Sequence, residues 1–359
     1  MNASAASASR TEVNPHTLTP TARAQRGAFL APQPGPQEML LRLRWVDIIV
    51  YGGAAGGGKS FGLLLDAAYH AAIAPVRGYG AVIFRRTMTQ VMQTGGLWET
   101  SQKVYPRTPR APGAPRQTPW LGWEWKRLGT NIRFGHLQYE EDKLSWQGAQ
   151  VGYIGFDELT HFTESQFFYL LSRNRSTVAG VQPIMRATTN PDPDSWVKRF
   201  LAPWVDSDYP AHERAKSGEV RWFYRDGDAL VWLRAPRERP SHVRRDEVHS
   251  VTFIESHLED NPALMEADPG YRGRLAALPY VERIILSGGP GAWNVRRDGN
   301  MFKAGWFPVV DAAPARLRAV VRRWDLAATA PRKGHNDPDW TVGVKLARGE
   351  DGRYYVLDA

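Results

Sequence analysis

Tyr51-Gly-Gly-Ala-Ala-Gly-Gly-Gly-Lys-Ser60 is the stretch on which the fold turns. From Gly53 it reads G-x-x-x-x-G-K-S, the spacing of a loop whose backbone N–H groups cradle a polyphosphate. Upstream, Val46, Ile48 and Val50 alternate with Asp47 and Ile49, which predicts a buried strand. Downstream, Phe61, Leu64, Leu65, Ala68 and Tyr69 recur at helical spacing. Strand, glycine loop and helix together aim loop amides and a helix N-terminus at a phosphate chain. Gly53, Gly56, Gly57 and Gly58 then line the phosphates, Lys59 reaches the β- and γ-phosphates, and Ser60 ligates Mg²⁺. The reading is a site for ATP or a related nucleoside triphosphate with its magnesium ion.

A second constellation lies about a hundred residues on. Val151-Gly-Tyr-Ile-Gly-Phe-Asp-Glu158 is an apolar strand ending in an acidic pair. Asp157 is placed to hold Mg²⁺ through water, and Glu158 to polarise the water that attacks the γ-phosphate. Pro183-Ile-Met-Arg-Ala187 predicts another strand, ending in Thr188-Thr-Asn-Pro191. Thr189 and Asn190 are read either as a sensor that bonds the γ-phosphate or the lytic water and reports hydrolysis to the rest of the chain, or as an ordinary Asn-Pro turn. Gln37, upstream of the loop, has two readings as well. Its amide could pair with the N6 and N7 of adenine, or it is an exposed residue of the Pro-Gln-Pro-Gly-Pro-Gln approach.

Composition bounds the rest. The chain has 359 residues, enough for two domains, and 42% hydrophobic content with 14 tryptophans predicts a folded protein. With no cysteine, a disulfide framework, a cysteine zinc site and thiol catalysis are all excluded. No run of about 18 apolar residues is present to span a membrane. Residues 1–26 are rich in Ala, Ser and Thr without an apolar centre, which predicts a disordered arm over 1–30 rather than a secretory signal. The net charge of +9, carried mainly by arginine, suits a polyanionic partner. The tryptophans are read as core residues.

Residues 31–194 are expected to form the nucleotide-binding core, with strands at 81–84 and 132–136, an irregular surface loop at 105–119 and a helix near 162–171. Residues 195–290 have mixed charge and scattered aromatics and predict a smaller lid, with Asn261-Pro262 opening a helix and Leu264, Met265, Leu275 and Leu278 on its apolar face. Gly288-Gly-Pro-Gly291 marks its boundary, and 291–318 reads as a linker. Residues 319–359 predict an apolar strand within 319–329 that carries Asp325, then strands at 340–346 and 354–357, too few residues for an independent core.

Five segments in order carry a family resemblance. They are the glycine loop, Phe84-Arg-Arg-Thr87, Gly155-Phe-Asp-Glu-Leu-Thr-His-Phe162, Thr188-Thr-Asn-Pro191 and Trp324-Asp-Leu-Ala-Ala-Thr329. From about residue 34 onward the chain resembles the large subunit of the tailed-phage terminase. The resemblance implies an α/β P-loop NTPase of the additional-strand type with a lid, followed by the first strands of a ribonuclease-H-like nuclease. It implies a motor that hydrolyses ATP to drive double-stranded DNA into a preformed capsid, and a nuclease that cuts the DNA. Lys59, Ser60, Asp157 and Glu158 fall on the family's ATPase positions, 188–190 on its coupling motif, and Asp325 on the first metal-binding acid of its nuclease. Asp339 occupies a position where relatives often carry Asp, with no metal assigned to it. The family's nuclease uses two divalent metals, Mg²⁺ or Mn²⁺, and its remaining acids are expected beyond the end of this sequence, so cleavage is not expected of this chain.

The implied partners are double-stranded DNA, the portal protein of the capsid, the small terminase subunit and further copies in a ring, with no membrane. The implied place is the bacterial host's cytoplasm, transiently on the procapsid and not in the mature virion. A helicase-type translocase would share the ATPase motifs but leaves 324–329 unexplained. A small-molecule kinase would not call for a Glu directly after the strand-end Asp. For an arginine acting across a ring interface, Arg85, Arg86, Arg133, Arg173 and Arg175 are the candidates.

Overall fold

The computed structural model describes residues 31–108, 110–295, 308, 310, 312–326 and 341–358. The chain divides into two units, 1–295 and 296–359, taken here separately. The expected arm at 1–30, Asp339, residues 327–329 of the Trp324 motif and much of the 291–318 linker lie outside the described residues.

Ten strands of the first unit form one sheet. In chain order they are β1 (Ile48–Gly53), β2 (Gly80–Arg85), β3 (Ala114–Arg116), β4 (Gly122–Trp125), β5 (Thr130–His136), β6 (Tyr153–Phe156), β7 (Ile184–Thr189), β8 (Val220–Asp226), β9 (Ala229–Leu233) and β10 (His249–Ser256). Their order across the sheet is β3-β4-β5-β2-β6-β7-β1-β10-β8-β9. The six strands from β5 to β10 run parallel, and antiparallel strands close both edges. β7 lies between β1, which feeds the glycine loop, and β6, which ends in the acidic pair. That inserted strand is the additional strand the fold class calls for.

β1, β6 and β7 are buried along their whole length, as parallel strands covered on both faces must be. One face packs Val50, Phe84, Phe156 and Met185 against Phe167 and Phe200. The other packs Ile83, Tyr153 and Ile184 against Leu63 and Leu64 of the helix Lys59–Ala68, and against Trp123 and Trp125. The register is nearly flush, with Val50 opposite Ala187 and Ala187 opposite Phe156. The carboxyl ends of β1, β6 and β7 therefore share one rim, the usual ligand edge of an open α/β sheet.

Two expectations meet a different arrangement. The stretch 195–290, read as a lid, gives β8, β9 and β10 to the main sheet, and β10 pairs directly with β1. The part that lies over the glycine loop is the helical segment after β10. The stretch 105–119, read as an irregular surface loop, contains β3 and a fully buried Tyr105 whose hydroxyl donates to the Leu64 carbonyl at 3.0 Å.

In the second unit, β11 (Leu317–Asp325), β12 (Val342–Gly349) and β13 (Tyr354–Asp358) form a three-stranded antiparallel sheet, close to the strands expected there. Among the described residues, no helix is long and apolar enough to cross a membrane.

Candidate nucleotide site

The glycine loop needs its glycines. Gly53 has φ 127°, and a Cβ there would stand 2.1 Å from the Ser256 carbonyl oxygen of the neighbouring strand. Gly58, at φ 73°, is the left-handed residue that starts the helix Lys59–Ala68, and a Cβ there would meet the Gln37 amide at 2.4 Å. The loop is held from outside: Ala54 N–H donates to the Ser256 carbonyl at 2.8 Å, Ala55 N–H to the Leu286 carbonyl at 2.8 Å, and Asn261 Nδ2 to the Gly56 carbonyl at 2.7 Å. Tyr51 Oη adds a bond to the Gly57 carbonyl at 3.1 Å.

Lys59 opens the helix, buried, with its ammonium on the carbonyls of Gly53 (3.2 Å) and Ala54. Burial lowers its pKa to about 8, against the opposing pull of Glu158 and Asp157. A desolvated cation with only carbonyl partners is poised for an anion.

One residue on, Ser60 Oγ donates to Asp157 Oδ1 at 2.8 Å. Thr188 Oγ1 donates to the same oxygen at 2.6 Å, and Arg85 Nε to Asp157 Oδ2 at 2.7 Å. Asp157 has no exposed surface. A buried carboxylate and a hydroxyl within 2.8 Å are hard oxygen donors. They suit Mg²⁺, which takes one or two protein oxygens and completes its shell with water and substrate phosphates.

Glu158 has φ 65°, the one non-glycine residue at positive φ among those described. Such a conformation costs on the order of 1–3 kcal/mol and persists where the surroundings enforce it. Here its N–H donates to Thr188 Oγ1 at 3.0 Å, while its carboxylate lies 3.6 Å from Arg85 and 3.7 Å from His161. Thr188 thus joins both acids through a single hydroxyl. Thr189 Oγ1 turns back to the Asn190 carbonyl at 2.9 Å, and the Asn190 Oδ1 is buried without a hydrogen-bond partner.

The structure brings the expected residues of the first unit together: the loop glycines, Lys59, Ser60, Asp157, Glu158 and 188–190 share the rim. Gln37 is there too, but buried in the helix Pro36–Arg42, not on an exposed linker. Its Nε2 donates to the Gly58 carbonyl at 2.9 Å and its Oε1 accepts from Gln33 N–H at 2.8 Å, so the amide ties the loop to the segment that opens this helix. Arg85, weighed for a role across a ring interface, is tied to the acids of its own chain. Arg86 is engaged within the fold by Leu137 and Gln166. Sequence reasoning missed Asn261 and Ser256 as loop supports; the Asn-Pro pair was visible as a helix start, its contact with Gly56 was not. Asp325 ends β11 and is exposed. Among the described residues, no group of three His, Cys, Asp or Glu could hold a metal ion.

A family model for the terminase large subunit, T4likevirus-type, N-terminal, matches residues 50–308. The large terminase of a thermophilic bacteriophage, in complex with ADP, is similar at TM-score 0.48 and 14% identity, over 90% of this chain and 68% of that one. The HK97 bacteriophage large terminase is similar at TM-score 0.45 and 14% identity, over 93% and 64%. The Thermus phage P74-26 large terminase ATPase domain is similar at TM-score 0.42 and 12% identity, over 76% and 97%. No curated protein matches the chain.

Proposed function

The chain belongs to the terminase large-subunit family, and on that premise we propose that it is the ATP-hydrolysing subunit of a motor that drives double-stranded viral DNA into a preformed capsid. The observation that carries the ATPase part is the junction of a helix start and two strand ends at one carboxylate: Ser60, Thr188 and Arg85 all bond Asp157, with Glu158 next in chain.

ATP enters at the glycine loop, and Lys59 exchanges the carbonyls of Gly53 and Ala54 for the β- and γ-phosphate oxygens. Ser60 and Asp157 would hold Mg²⁺, which would supply charge neutralisation at the phosphates. Glu158 polarises a water in line with the γ-phosphorus and takes its proton as the bond to the β,γ-bridging oxygen breaks, giving ADP and phosphate. Arg85 orients both carboxylates. Thr188 ties the Glu158 backbone to β7, so a shift of that strand on loss of the γ-phosphate moves the catalytic residue with it. Asn190, with its free Oδ1, senses the γ-phosphate or the attacking water.

The partners on this reading are duplex DNA, the capsid's portal protein, the small terminase subunit and further copies in a ring on the portal, in the host cytoplasm. Residues 319–359 are strands of a ribonuclease-H-like nuclease fold, with Asp325 a metal-binding acid. The test is ATP hydrolysis with and without duplex DNA and portal-bearing procapsids, read beside nuclease-protected DNA. Stimulation that needs the procapsid, with DNA protected in proportion to ATP consumed, supports the motor. DNA stimulation with strand separation and no protection contradicts it.

A further inference from the structure

The β3–β5 edge of the main sheet holds a charge imbalance that the nucleotide site does not use. From residue 105 to 136 the sequence carries Arg107, Arg110, Arg116, Lys126, Arg127 and Arg133 against Glu124 alone, an excess of five where the whole chain's is +9. Glu124 is spent on Arg116, at 2.6 Å. Arg107, Arg110, Lys126, Arg127 and Arg133 are exposed and form no ion pair among the described residues.

The fold gathers these cations. Trp125 Nε1 bonds Thr108 Oγ1 at 3.0 Å and the Ala111 carbonyl at 3.2 Å, which pins the Arg107 to Arg110 stretch beside the β4–β5 turn that carries Lys126 and Arg127. Arg77 joins the same turn: its guanidinium bonds the Arg127 carbonyl at 3.3 Å, and Gly78 N–H bonds Gly129 at 2.9 Å. On β5, Arg133 faces away from the buried Ile132 and Phe134 and lies 4.8 Å from the centre of the Trp120 ring, which Arg116 also covers at 5.1 Å. Stacking fixes the Arg133 plane, while its N–H groups make no hydrogen bond among the described residues. Arg133 and Arg175 line a cleft of about 370 Å³ at the starts of β2, β5 and β6, and no acidic residue lines it.

We propose that this edge grips the phosphate backbone of duplex DNA, an assignment that rests on the motor reading above. Unpaired, exposed guanidinium groups in a pre-set plane fit phosphate oxygens, and a row of them fits a polyanion. A protein partner would call for an apolar or aromatic centre. None of the exposed large hydrophobic side chains among the described residues falls between 105 and 136. From Arg133 back to Thr130 is about 10 Å of strand, with the turn's cations beyond, the axial length of about three base pairs. β2 starts beside Arg77 and runs about 17 Å to Arg85, so one strand links the gripping edge to the acids that hydrolyse ATP.

The test is the salt dependence of duplex-DNA affinity, by fluorescence anisotropy on the full chain. Replacing Arg107→Gln, Lys126→Gln and Arg127→Gln together removes three cations whose side chains bond nothing else among the described residues. It should flatten the slope of log K against log salt by about 2.7 and weaken binding on the order of 100-fold near 0.15 M salt. The charge-preserving Arg107→Lys with Arg127→Lys should hold the wild-type slope. Arg237→Gln, Arg244→Gln and Arg245→Gln make the same charge change among exposed residues elsewhere and should leave it within one unit. Equal losses in both triple variants, or a wild-type slope in the first, overturn the surface while leaving the motor reading intact. An acidic polypeptide competing as well as duplex overturns DNA as the occupant. A wild-type chain that binds no duplex at all contradicts both the surface and the motor.

Discussion

Thr188→Val removes one oxygen and changes little else in shape. The residue is 2% exposed, so water cannot replace what the hydroxyl supplies. Two bonds go: the donation to Asp157 Oδ1 at 2.6 Å and the acceptance of Glu158 N–H at 3.0 Å. An orphaned buried donor costs about 1–3 kcal/mol, and a bond to a charged group is worth about 1.5–3 kcal/mol. Ser60 and Arg85 still hold Asp157, so the combined loss is about 2–5 kcal/mol. For a unit that ends at residue 295, about 2.1 cal/mol/K per residue gives about 0.6 kcal/mol per degree, hence a melting temperature lower by about 3–8 °C. Stability is the smaller part of the effect. Released from Thr188, the Glu158 backbone relaxes from its φ of 65°, and a displacement near 1 Å of a catalytic group costs about 100-fold in rate. The assay pairs thermal melting with steady-state hydrolysis and with the affinity for a fluorescent ADP analogue. The expected result is a roughly 100-fold lower kcat, nucleotide affinity within about threefold, and rescue of both rate and stability by Thr188→Ser. A valine variant that melts and turns over like the wild type would refute the bridging role.

Three further outcomes follow from the same geometry. Lys59 must be protonated to hold a triphosphate and starts from a pKa of about 8, so binding takes up a proton as pH rises through that value. ATP affinity should be nearly flat below about pH 7 and fall about tenfold by about pH 9 in pH-dependent binding curves, with the dependence absent in Lys59→Ala. Arg85→Met leaves the buried Asp157 carboxylate without its cation and should cost about 3–5 kcal/mol in denaturant unfolding, more than Arg86→Met. Chelating magnesium with excess EDTA should abolish hydrolysis while leaving measurable ADP-analogue binding through Lys59 and the loop amides, checked by equilibrium titration.

The parts of the site legible in the sequence were those whose chemistry is local. The glycine loop declares itself because backbone geometry at Gly53 and Gly58 admits no side chain, and the acidic pair because it ends an apolar strand. The placement of β7 beside β1 was legible only through the spacing of motifs, since pairing is set by hydrogen bonds between residues more than a hundred apart. Arg85 was visible as an arginine after a strand, but its ties to Asp157 and Glu158 depend on β2 and β6 being neighbours. β10 escaped the apolar-run reading because Ser250 and Thr252 are buried in it. Their hydroxyls are satisfied by Asp47 and the Glu219 carbonyl, so the strand tolerates polar residues at core positions. The prolines and Gly113 between 105 and 119 masked β3 and the burial of Tyr105 in the same way. Gln37 shows the reverse: its place in a Pro-Gln-Pro-Gly-Pro-Gln approach suggests an exposed linker, yet in the fold it is buried and donates to the Gly58 carbonyl.

The central claim is that this chain hydrolyses ATP with Glu158 as the residue that activates water. The direct measurement is ATP binding and single-turnover hydrolysis by Glu158→Gln beside the wild type. The substitution keeps the shape of the side chain and removes its basicity. The account predicts binding within about threefold of wild type and a rate of hydrolysis lower by about 1,000-fold. Hydrolysis by Glu158→Gln at the wild-type rate would contradict it.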